Sequence, residues 1–88
     1  MGYSAAEFAA VLPAAMRDWQ VGGESPSWVV NDGGRRVALL TIKTLPERVI
    51  GALRLPVLHV SIDLREADAE VCREFQRRFE RGFHRGGG

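Results

Sequence analysis

The chain holds one cysteine, Cys72, among its 88 residues. A single thiol makes neither an internal disulfide nor a cysteine-rich zinc site. It suits a reducing compartment, so a cytoplasmic location is expected. Histidine is almost as scarce. His59 and His84 are the only two, and their separation gives no metal-ligand spacing. No apolar run approaches the length that spans a bilayer. The opening stretch MGYSAAEFAAVLPAAM lacks a basic segment and carries Glu7, unlike a secretory leader. Ala6 stands where N-myristoylation asks for Ser or Thr. Also missing are a glycine-rich phosphate loop, a Ser-His-Asp arrangement and carboxylates paired for acid–base work. These absences set four expectations: no enzyme activity, no cofactor, no bound metal and no membrane insertion.

A charge excess is missing as well. The formal net charge is +1, which gives no global attraction to nucleic acid or anionic lipid. The distribution is nevertheless uneven. Residues 72–88 carry five arginines against two glutamates, a net of +3, whereas residues 1–71 carry seven Lys/Arg against nine Asp/Glu, a net of −2. Hydrophobic residues at 45% and charged residues at 26% are ordinary for a globular chain and argue against disorder throughout. The length suits one domain, expected over 1–85 with a frayed glycine tail at 86–88. A domain this small buries only about 60% of its unfolded surface, and burial against a partner, often a second copy, is a common remedy.

Several elements are legible in the pattern. Ser4 and Glu7 have capping-box spacing. Phe8, Val11, Leu12, Ala15, Met16 and Trp19 follow as one helical stripe, with Pro13 expected to kink or stop the helix. Gly22-Gly23 and Ser25-Pro26 read as a loop. SWVV and RRVALLTIKT flank Asn31-Asp32-Gly33-Gly34, a β-hairpin signal. Thr44, Pro46 and Glu47 suggest a short helix over 46–54, which Gly51 would weaken. VLHVSIDL then alternates as a strand. Asp68 is the favoured N-cap of a final helix, with Asp63 the alternative. On that helix Val71, Cys72, Phe75, Phe79 and Phe83 share one face, and every arginine falls outside it. Gly82 is expected to loosen its last turn.

The expected fold is therefore α+β: a three-stranded, mainly antiparallel sheet with the N- and C-terminal helices packed on one face, in the order α-β-β-(short α)-β-α. A real short helix would allow the third strand to run parallel to the second. Trp19 and Trp28 are expected in the core or an interface, and Cys72 as a small buried hydrophobe.

The α-β-β-β-α order resembles the double-stranded-RNA-binding domain in outline. That family contacts phosphates from a basic N-terminus of its last helix. Here the corresponding stretch is the acidic READAE, and the hairpin loop NDGGRR lacks the family's Gly-Pro-x-His, so no function is carried over. Arg81-Gly82-Phe83 resembles the start of an RNA-recognition RNP1 motif but diverges at His84 and Arg85. Gly87-Gly88 resembles the end of ubiquitin-like sulfur carriers, whose tails follow a strand rather than a helix.

Two functional expectations follow. The first rests on the sheet face away from the helices, with Leu39, Thr41, Lys43, Val57, His59, Ser61 and Asp63, joined by Trp28 or Val29. A half-apolar open face of this kind meets a partner. A protein-binding domain is expected, self-associating as a homodimer, with contacts at Leu39, Thr41, Val57 and His59. The alternative is a nucleic-acid or polyanion binder using Arg35, Arg36, Arg73, Arg77, Arg81 and Arg85. It requires the hairpin loop and the last helix to share one basic surface. Against it stands an ordinary solvated helix face, with Glu74–Arg78 and Glu70–Arg73 as ion pairs.

Overall fold

The computed structural model describes residues 1–84 of the chain. It is α+β, in the order α1 (Ala5–Met16), β1 (Gln20–Glu24), β2 (Ser27–Asp32), β3 (Arg35–Ile50), β4 (Leu53–Asp63) and α2 (Ala69–Gly82). The sheet is antiparallel in the order β1-β2-β3-β4. It thus has four strands rather than three, and the strand after 46–54 runs antiparallel to its predecessor.

Both helix starts follow from local chemistry. Ser4 Oγ accepts from Glu7 N at 3.1 Å, and Ser4 N donates to Glu7 Oε1 at 2.9 Å, a complete capping box. Asp68 caps α2 by accepting from Val71 N at 2.9 Å, rather than Asp63. Pro13 does not stop α1, which runs on to Met16. Proline lacks the N–H that would bond Ala9, but its ring is exposed and the buried Leu12, Ala15 and Met16 around it hold the last turn to the core.

The β2–β3 hairpin turns at Gly33-Gly34 with Asp32 opposite Arg35. A register shift between Val30 and Asn31 leaves Val37 as an extra residue on β3. Bulges let consecutive residues point the same way, and here Val37 and Ala38 are both buried. Gly22-Gly23, read as part of a loop, belong to β1, which pairs with β2 from Gln20–Asn31 to Glu24–Ser27. These glycines disguise a short edge strand whose Val21 is half-buried.

One sheet face and both helices make the core. Trp28, Val30, Leu40, Ile42 and Leu58 from the sheet meet Phe8, Leu12, Met16, Phe75 and Phe83 from the helical layer. Phe8 stacks on Phe83 at 4.8 Å between ring centroids and lies 5.3 Å from Trp28. Trp19 and Trp28 are both core residues. Cys72 is half-buried, with its thiol toward the carbonyls of Leu64 and Ala67. No helix among the described residues is long and apolar enough to cross a membrane.

The helix expected over 46–54 is instead the end of a long hairpin. β3 is 16 residues long, about 50 Å at the rise of a strand, and the molecule extends 47 × 24 × 20 Å. Ile50 pairs with Leu53, leaving Gly51-Ala52 as a two-residue turn. Gly51 has φ 59° and Ala52 a negative φ, the pattern of a II′ turn with glycine first. The two prolines fit this ribbon. Pro46 falls in a bulge between the Leu45–Val57 and Arg48–Leu55 pairs. Pro56 lies on the outer edge of β4, where a missing N–H costs no ladder bond.

Candidate functional site

The sheet face opposite the helices is uncovered. Thr41, Lys43, His59 and Ser61 are exposed there, while Val29, Leu39, Leu45 and Val57 are half-buried. Alternation assigns Val29 to this face, since Trp28 is in the core. Thr41 stands opposite Ser61, and Lys43 opposite His59. The four expected contact residues Leu39, Thr41, Val57 and His59 therefore share this face, but its centre is hydroxylic and basic rather than apolar.

The apolar part lies farther out, on the hairpin arm of residues 45–57. Val49 is 61% exposed, Ile50 54%, Leu53 62% and Leu55 40%. On β4, residues 53, 55, 57 and 59 alternate onto one face without interruption. The extra residue at the β3 bulge brings Arg48 and Ile50 opposite Leu55 and Leu53. Leu45, Val57, Leu55, Ile50 and Leu53 thus continue the uncovered face outward, and Val49 with Arg54 occupies the reverse. Sequence reading missed this arm because Leu, Val and Ile at short spacing around a glycine fit a helix and a strand equally. The usable signal was the mirrored arrangement of two Leu-Pro steps about Gly51-Ala52.

The edge of β4 is largely closed to strand addition. Met1 N donates to Leu58 O at 2.9 Å, and Leu58 N donates to Met1 O at 2.8 Å. Leu58 therefore directs its backbone outward, and Pro56, two residues away, presents no donor on that edge. Such blocks are how sheet proteins prevent edge pairing, here along β4.

Charged candidates are distributed differently from expectation. Arg73, Arg77 and Arg81 are exposed along α2, and Arg77 reaches Glu74 at 3.3 Å. Arg36 pairs with Glu66 at 3.2 Å. The hairpin loop with Arg35 and Arg36 adjoins Glu66, Ala67 and Asp68 at the acidic start of α2, whereas the arginine row runs toward its other end. Arg85 and the Gly86–Gly88 tail lie outside the described residues. Hydrogen bonds from Arg65 hold the Asp63 carboxyl below its ordinary value.

Arg78 overturns the expectation that all helix arginines face water. Its side chain is 15% exposed. It donates to Glu74 at 2.8 Å, to Met16 O at 2.7 Å and to Asp18 at 2.9 Å, and its guanidinium lies 4.0 Å from the centroid of the Trp19 ring. It thereby ties α2 to the end of α1. Charge-assisted bonds of this type contribute about 1.5–3 kcal/mol, so Arg78→Ala is expected to destabilise by about 2 kcal/mol. The Arg78 hydrogen bond also holds the Glu74 carboxyl below its ordinary value. A depressed carboxyl stabilises the fold at neutral pH, and that contribution disappears as pH falls through the glutamate range. The stability gap between wild type and Arg78→Ala should therefore narrow from pH 7 to pH 3, as read by denaturant titration. A gap independent of pH would exclude the Glu74 contribution.

Comparison with protein-family models, with curated proteins and with solved structures gives no match.

Proposed function

We propose that this chain is a small protein-binding domain that self-associates through its uncovered sheet face, with the hairpin arm as the principal contact element. The observation that carries this reading is the exposure of Ile50, Leu53 and Leu55 on one face of a projecting two-stranded ribbon. A ribbon of this kind is marginal alone in water. Covering half-exposed aliphatic side chains of this size gains about 1 kcal/mol each. In an isologous dimer every contact occurs twice. Leu39, Thr41, Val57 and His59 form the inner part of the contact, where hydroxyl and imidazole groups supply polar complementarity. Native mass measurement over a concentration series tests the reading, and a chain that stays at 9.7 kDa at every concentration sinks it.

The exposure of Arg73, Arg77 and Arg81 along one row favours a second reading, contact with nucleic acid or another polyanion through that row alone, since Arg35 and Arg36 lie toward the acidic start of α2 and share no basic surface with it. Filter binding at two salt concentrations tests it. Phosphate contacts release counterions, so affinity should fall steeply with salt. Absence of binding at low salt eliminates this reading.

A further inference from the structure

A recess of about 230 Å³ lies between the end of α1 and the last two turns of α2, lined by Ala14, Ala15, Gly82, Glu74 and the side chains of Arg17, Arg77, Arg78 and Arg81. Four arginines and one glutamate thus line it. The carboxylate is already engaged, because Glu74 accepts from Arg78 at 2.8 Å and pairs with Arg77 at 3.3 Å. Arg78 commits its Nε and Nη1 donors to Glu74, Met16 O and Asp18, so of its five donors only the two on Nη2 remain. Among the described residues neither Arg17 nor Arg81 comes within ion-pair distance of a carboxylate, and Arg17 acts on Glu74 only through its field. The floor is small: Ala14 and Ala15 contribute only methyl groups and Gly82 no side chain. The volume is several times the ~30 Å³ share of one liquid water.

Arg17 adds a separate observation. It occupies φ 57°, ψ −114°, a backbone conformation that suits glycine and strains other residues. Arg17 opens the tight turn that leads from α1 to β1, closed by Trp19 N donating to Met16 O at 3.1 Å. The turn holds the Arg17 side chain at the mouth of the recess, at a backbone cost that glycine would not carry.

We infer that this recess is a binding site for a compact phosphate group, held by the Arg17 and Arg81 guanidinium forks in the field of Arg77 and Arg78. Arginine forks match phosphate oxygens in pairs. The site is independent of self-association, and it differs from the polyanion reading because it excludes Arg73, which does not line the recess.

Amide and arginine-side-chain NMR titrations with inorganic phosphate and with phosphoserine, against chloride at matched ionic strength, test the site. Saturable shifts at Ala14, Ala15, Gly82 and the Arg17 and Arg81 side chains are expected. Loss of one charge-assisted bond corresponds to about tenfold or more in affinity, so Arg17→Gly and Arg81→Ala should each weaken binding at least about tenfold. Arg17→Gly should do so while raising the melting temperature by about 4–8 °C through relief of strain, which separates loss of the site from loss of the fold. Arg73→Ala should leave affinity unchanged. Tighter binding of phosphoserine assigns an esterified phosphate, and equal affinity assigns the free anion. Shifts that stay linear, that chloride reproduces, or that Arg73→Ala reduces as much as Arg81→Ala overturn the inference.

Discussion

Replacing Gly82 with alanine is expected to destabilise the fold by about 1–3 kcal/mol, the range for inserting a methyl group into close-packed structure. At roughly 4–8 °C per kcal/mol for a domain of this size, thermal melting should show it plainly. The sign opposes helix propensity, which favours alanine over glycine by about 1 kcal/mol in a helix interior. Geometry decides against propensity. A Cβ at position 82 would overlap the Cβ of Ala15 and lie 3.0 Å from its Cα. The obstacle is the backbone and shortest side chain of α1, so no rotamer change relieves it, and the helices must separate. Separation would disturb the Phe8–Phe83 stack and the Arg78 bond to Met16 O, both of which bridge the same seam. Ala15→Gly in the Gly82→Ala background removes one of the overlapping atoms and should recover part of the loss. The coupling should fall in the range of about 0.5–3 kcal/mol found for residues in contact. An alanine variant as stable as wild type would show that the two helices do not approach this closely.

The second large effect concerns the arm. Ile50→Asp and Leu53→Asp together should weaken self-association at least about a hundredfold. The estimate combines the loss of apolar burial with the cost of burying carboxylates, each counted in both copies of an isologous contact. The domain itself should remain folded, since exposed positions away from the core shift stability by about 0.5 kcal/mol or less. Sedimentation equilibrium gives the association constant, and melting temperature monitors the fold. Val49→Asp provides the decisive comparison. Val49 is as exposed as Ile50 and adjacent to it, but it projects from the opposite face of the ribbon with Arg54. If the contact runs along the uncovered sheet face, Val49→Asp leaves association nearly unchanged. Equal disruption by all three substitutions would replace face-specific contact with nonspecific adhesion of the ribbon.

The same geometry opposes strand addition along β4. Pro56 and the Met1–Leu58 bonds occupy the outer edge of β4, so an incoming strand would find its ladder interrupted. A face contact uses side chains and tolerates these blocks.

Much of this molecule was legible in its sequence because the deciding interactions are local. The Ser4–Glu7 box, the Asp68 cap, the Phe75–Phe79–Phe83 stripe and the Gly33-Gly34 turn all act over at most two helical turns or one tight turn. Intervals of that length survive in a linear pattern. The alternation of the two strand runs likewise placed Leu39 and Thr41 of β3 and Val57 and His59 of β4 on one uncovered face. What the tertiary structure decided was every feature that depends on residues far apart in the chain. Residues 45–57 became an arm because each strand supplied the other's hydrogen-bond partners across Gly51-Ala52, although the segment alone carried a plausible helix start. β1 became a strand because β2 lay beside it. Gly82 proved to be a point of helix contact because Ala15 arrives from the other end of the chain, and Arg78 turned inward because Met16, Asp18 and Trp19 meet it there. Local pattern specifies which backbone a segment can adopt. Which of two allowed backbones it takes, and how closely two elements approach, is settled by partners that sequence proximity does not reveal.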